Sequence, residues 1–143
     1  MSFVYTDAKR GLLEGEYDLA DDDIRLLIVM TNTTADTEED AVFVGDLATL
    51  DEMDGSGYSR VALSNPAVSA DDANDRANFT VDATVFPLVG AGTRSMAGVV
   101  VYKHTGDDAT SPLIAFYDDG FPFAATGANV SIAWTNSQAL RQA

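Results

Sequence analysis

Residues able to do chemistry are few in this chain, and their spacing suits none of the common reactions. The only histidine, His104, stands beside Lys103 in a polar stretch and reads as a solvated turn residue. A Ser–His–Asp triad needs a base held against a nucleophile, and no Gly-x-Ser-x-Gly elbow supplies one. Ser56 lies in Gly-Ser-Gly, a hinge composition. Gly90-Ala-Gly92 matches the first two glycines of a dinucleotide fingerprint. The third position is Ser95, however, and the apolar run after it is too short and too β-branched to be the required helix. There is no P-loop. There is also no cysteine, which removes disulfides and thiolate metal sites together.

Oxygen ligands are the remaining chemical option. Aspartates cluster at Asp21–Asp23, at Asp71, Asp72 and Asp75, at Asp107–Asp108 and at Asp118–Asp119. Groups of this kind can hold calcium. The closest approach to an EF-hand loop, Leu50 to Val61, lacks an acid at its first and twelfth positions, so that template fails. Carboxylate pairs for glycoside hydrolysis carry no signal in so Asp-rich a chain, where chance pairs abound. No catalytic residue, metal or cofactor is expected.

The elements that would position these residues are mostly strands. Tyr5 to Glu16 predicts a short helix capped by Thr6 or Asp7, with Ala8, Leu12 and Leu13 near one face and Gly15 at its stop. Ile24 to Thr31 is a nearly continuous apolar run, short enough to be a buried strand. Phe43, Leu47 and Leu50 recur at helical spacing and predict a second short helix, ended by the flexible turn Asp54–Gly57. Gly57 to Ser64 predicts a strand closed by Asn65-Pro66. From Phe79 to Phe86 the residues alternate, with Phe79, Val81, Ala83 and Val85 on one side of a single strand. Gly98–Lys103, Leu113–Asp118 and Asn129–Thr135 predict a closing antiparallel meander, with Trp134 in the core beside Val130 and Ile132. Six strands and two short helices give a mainly β or α+β single domain, most simply an antiparallel β-sandwich.

Composition narrows the partners. The net charge is −15 over 143 residues. Such a surface disfavours nucleic acid and anionic membranes, because phosphate contact needs Lys and Arg. Aspartate outnumbers glutamate and the only lysines are Lys9 and Lys103, a pattern that fits either salty surroundings or a GC-rich genome. MSFVYTDAKR lacks the apolar run of a signal peptide, and stretches such as Leu26–Met30 are too short to cross a membrane. The Asn-x-Ser/Thr sequons at Asn32, Asn78 and Asn129 are therefore read as chance matches. A soluble protein made in the cytoplasm is expected.

The segment Met96–Asn136 resembles the closing meander of a family of small bacteriophage virion proteins. The likeness lies in a Val-Val-Tyr-Lys strand, a Thr-Gly-Asp loop, a Ser-Pro-Leu-Ile-Ala strand and a final Ile-x-Trp strand. It extends to the N-terminal part, where a short helix precedes Tyr17-Asp18-Leu19, Asp22-Asp23-Ile24-Arg25 and Leu-Leu-Ile-Val. It also covers the helix-then-Gly-Tyr order of Leu47–Tyr58. The resemblance implies a virion structural role. The leading expectation is capsid decoration: binding the major capsid protein on the outer head surface and self-associating as a trimer or dimer. A tail or head–tail component is the alternative, and a carbohydrate-binding β-sandwich a further one. Attachment is expected at the chain ends, Met1–Tyr5 and Ser137–Ala143, and at the Phe121-Pro122-Phe123 loop. The candidate interaction residues are Met1, Phe3, Tyr5, Phe121, Phe123, Leu140 and Arg141. Trimming Met1–Tyr5 is expected to weaken attachment more than the fold.

Overall fold

A computed structural model describes residues 2–134 and 138–142 of the chain. Among the described residues ten strands are present: β1 (Phe3–Val4), β2 (Ile24–Met30), β3 (Val61–Ala62), β4 (Ala67–Asp71), β5 (Arg76–Thr80), β6 (Thr84–Phe86), β7 (Met96–Lys103), β8 (Leu113–Tyr117), β9 (Val130–Ile132) and β10 (Gln138–Gln142). One α-helix, α1 (Thr6–Glu14), precedes β2. The strands form a five-stranded sheet in the order β1-β8-β7-β2-β3, a three-stranded sheet β10-β5-β4 and a two-stranded ribbon β6-β9, all antiparallel. The expected mainly β single domain is what the chain forms.

The central strand explains its own sequence. β2 is unbroken in hydrophobicity from Leu26 because both faces of the large sheet are covered. Leu26, Ile28 and Met30 join Val99, Val101, Phe79, Phe86, Val130 and Leu140 in one core, beneath the two smaller sheets. Leu27 and Val29 join Val100, Tyr102, Leu113 and Phe116 in a second core, covered by Tyr5, Ala8, Val44 and Leu47. Thus α1 and the Ala35–Leu50 segment close one side, and the small sheets close the other. Beyond β3, the edge of β2 is continued by Asp51–Met53: Met30 N–H donates to Asp51 O at 2.7 Å and Met53 N–H to Ile28 O at 2.9 Å.

Several local expectations change. The helix begins at Thr6, but its cap is Tyr5, which makes no side-chain cap hydrogen bond, so neither Thr6 nor Asp7 caps it. Leu13 points away from the protein at 89% exposure, while Ala8 and Gly11 face inward. Gly11 is required there, since a Cβ would lie 2.3 Å from the Tyr17 ring. The second helix is only a 3-10 turn at Val44–Asp46. Phe43 is extended and bridges to Pro112, so the helical spacing of Phe43, Leu47 and Leu50 is coincidental.

The single strand expected over Phe79–Phe86 is two, β5 and β6, with different partners. The break inverts the alternation: Phe79 and Val81 are buried, then Thr84 and Phe86, while Val85 is exposed. The strand expected at Gly57–Ser64 shrinks to Val61–Ala62. The closing meander is also incomplete. β7 and β8 pair as expected, but β9 leaves the large sheet to pair with β6. Finally, Asp54–Gly57 is a tightly held turn: Gly90 N–H donates to Ser56 O at 2.8 Å, and a Cβ on Gly55 would sit 2.0 Å from Gly90 O.

Candidate functional site

The acidic clusters serve local structure. Asp18 accepts from Ala20 and Asp21 N–H, and Asp107 accepts from Ala109 N–H at 2.9 Å. Asp22 pairs with Lys103 at 2.9 Å, Asp23 with Arg25 at 2.7 Å and Asp71 with Arg76 at 2.7 Å. Asp51 receives Arg94, whose hydrogen bond holds that carboxyl below the usual carboxylate range. Among the described residues no group of three or more His, Asp or Glu is placed to hold a metal ion. His104 differs from the solvated turn residue expected. It is half-buried with its ring edge against Tyr102, and its Nδ1 is buried without a partner.

The densest polar network is structural. Arg60 forks to Glu52 (2.8 and 2.7 Å) and to Asp108 (2.6 and 2.8 Å), with its guanidinium 5.2 Å from the centre of the Tyr102 ring. Tyr58 donates to Glu52 at 2.9 Å and accepts the Ile28 N–H at 3.0 Å. Burial, with the Glu52 charge second, drives the Tyr58 hydroxyl far above its ordinary range. Arg60 holds the Asp108 carboxyl below its ordinary range. This strut ties the Glu52 segment and the Asp107–Thr110 turn to the start of β3 in the large sheet.

A concave feature lies at the end of β8. A cleft of about 290 Å³ is lined by Val99, Tyr117, Phe121, Phe123, Ile132 and Trp134, with Asp119, Gly120, Ser131 and Ala133 also facing it. β8 delivers Tyr117; a turn through Gly120, at φ +84°, reverses the chain. The Phe121–Pro122 peptide is cis. Phe123 is then pinned to Met96 by paired backbone bonds of 2.9 and 3.2 Å. Phe121 and Phe123 stack at 4.9 Å, and Tyr117 meets Trp134 edge-on at 5.2 Å. Burial raises the Tyr117 hydroxyl to about 12, with the charge of Asp119 adding to the effect.

A second exposed feature is an edge. β4 hydrogen-bonds only to β5 among the described strands, and Ala67, Val68, Ser69 and Ala70 are all exposed. Edge strands are ordinarily protected by charge, proline or a bulge. β4 has none of these before Asp71. Val68, 56% exposed, also borders a hollow shared with Leu12, Leu19, Phe79 and Leu140, where the Oδ1 of buried Asn78 has no partner.

The expected interaction residues scatter. Phe121 is half-buried and Phe123 is 41% exposed, both in the cleft. Phe3 is half-buried in β1, against Tyr5 and Phe116. Tyr5 lies in the core with no exposure and donates to Ala35 O at 2.8 Å. Leu140 is also interior. The described parts of the chain ends are therefore the edge strands β1 and β10, and Tyr5 and Leu140 beside or within them are taken up by the two cores. Met1 and the Arg141 side chain lie outside the described residues. Trp134 is half-buried at the cleft and not sealed in the core.

Comparison with protein-family models, with curated proteins and with solved structures found no match. What the chain can do is therefore argued from its surfaces. Sequence alone marked Phe121 and Phe123, but missed that Tyr117, Asp119 and Trp134 join them, and missed the β4 edge. The run Ala67–Ala70, uncharged between Pro66 and Asp71, was the available signal for the edge.

Proposed function

We propose that this protein is a bacteriophage capsid decoration protein, attached to the major capsid protein on the outside of the head and associating with copies of itself. The observation that carries the assembly reading is the β4 edge, exposed and uncharged from Ala67 to Ala70 on a chain of net charge −15. Its free backbone groups favour strand addition. Antiparallel pairing of two copies about a two-fold axis is the better geometry, because parallel pairing brings Asp71 beside its own copy. The virion setting comes from the sequence resemblance. An acidic exterior supports a place away from packaged DNA.

Many copies, each burying a modest area, gain strength by repetition over a closed shell. Sedimentation of the wild type against Val68→Lys tests the copy–copy contact. Val68 is exposed, so the substitution should leave melting unchanged while shifting an oligomer to monomer. A wild type that remains monomeric at high concentration, or a variant that associates equally well, overturns this part.

One observation favours the carbohydrate-binding alternative: the aromatic cleft of Tyr117, Phe121, Phe123 and Trp134. The same cleft would serve a tail component as well as a head protein.

A further inference from the structure

We propose that the cleft at the end of β8 is a socket for an arginine side chain presented by a partner protein. This deepens the assembly reading by naming what the partner brings, and it rests on that reading only for the partner's identity.

Size comes first. About 290 Å³ is at the small end of ligand pockets, suited to one side chain and too small for a typical cofactor. The walls come next. Four aromatic rings line the space as two pairs, Phe121 with Phe123 and Tyr117 with Trp134. Aromatic faces carry negative quadrupole charge and attract cations, most strongly where water is partly excluded.

The rim adds a full negative charge. Asp119 is exposed and makes no hydrogen bond or ion pair with the described residues, yet it is close enough to Tyr117 to disfavour ionisation of that hydroxyl. Among the described residues, no Lys, Arg or His lines the cleft. The chain's own Arg10, Arg25, Arg60, Arg76, Arg94 and Lys103 are engaged with carboxylates elsewhere. A cation brought by another molecule would balance Asp119, and the net charge of −15 draws cations in.

Guanidinium fits this site better than ammonium. It is planar, so it stacks on a ring face while forking to a carboxylate. Anionic ligands are opposed by Asp119 and by the field of the whole protein. A neutral sugar has less to hold it: the polar side chains facing the cleft are Tyr117, Asp119, Ser131 and Trp134, and the Trp134 Nε1 is shut off from solvent.

Trp134 is the only tryptophan, so intrinsic fluorescence of the full-length protein reports on the cleft directly. The probes are N-acetyl-arginine amide, its neutral isostere N-acetyl-citrulline amide, and methyl glucoside. A saturable signal is expected with the arginine compound, weakened at least about tenfold for citrulline and for Asp119→Asn, and weakened further by salt. Asp119 is exposed and outside any network, so Asp119→Asn should melt like the wild type. Phe123→Ala should also reduce the response. Equal responses to arginine and citrulline, an unaffected Asp119→Asn, saturation by the glucoside alone, or no saturable response to the arginine compound each overturn the proposal. The readout uses purified protein and defined compounds, so it stands or falls separately from virion attachment.

Discussion

Replacing Arg60 by Met should expose how far one guanidinium holds the loops of this protein to its main sheet. Arg60 is 21% exposed and forks to Glu52 at 25% and Asp108 at 40% exposure. Fully exposed pairs contribute about 0.2–1 kcal/mol each. Removing one partner from a fully buried pair costs about 3–5 kcal/mol. Two bidentate pairs at intermediate exposure, with solvent screening strongest at Asp108, place the loss at about 2–3 kcal/mol, including contact with the Tyr102 ring. For a chain of this size that lowers Tm by about 5–10 °C. Arg60→Lys keeps the charge but loses the fork, and should fall about midway.

Urea and thermal unfolding at neutral pH measure the loss. Repeating them in acid identifies its cause. Arg60 depresses the Asp108 pKa in the folded state, so this stabilisation is present above the unfolded value of about 3.9 and is lost as pH falls through the folded value. The gap between wild type and Arg60→Met should therefore narrow as pH falls below about 4, leaving the part due to the Tyr102 ring. A variant within about 0.5 kcal/mol of wild type, or a gap that does not narrow in acid, refutes the electrostatic account.

Gly55→Ala should cost about 1–3 kcal/mol in chemical denaturation, because its Cβ would meet the Gly90 carbonyl oxygen at 2.0 Å and both are backbone; a neutral substitution would mean that the turn is loose. Tyr5→Ala should cost about 3–5 kcal/mol, and removal of residues 1–5 should destabilise the fold in the same assay, because Tyr5 is fully buried. Melting temperature should rise with NaCl from low salt, since screening relieves the repulsion of a −15 chain more than it weakens its ion pairs; a flat or falling curve contradicts this.

Much of the large sheet was legible because burial on both faces writes a continuous apolar run, as in Leu26–Met30 and Val99–Tyr102. β8 followed for the same reason. The small sheets were obscured because their strands are short and one-sided. β5 and β6 form an apparently single alternating strand whose phase flips at Ala83, which only knowledge of two different partners reveals. β4 was hidden because nothing covers it, so it has no core-facing pattern at all. The cleft was half visible. Phe121 and Phe123 are out of place in a loop, but Tyr117 reaches it from the end of β8 and Trp134 from just beyond β9, where they resemble ordinary core residues. Tyr5 and Leu140 misled for the opposite reason: apolar residues near chain ends are free only when no sheet edge takes them up.

Imaging of intact virions with this chain specifically labelled tests the proposed role most directly. A regular array of label over the head surface is the expected result, with copies grouped on local symmetry axes. Label confined to a ring at the tail, or absent from the particles, would contradict capsid decoration.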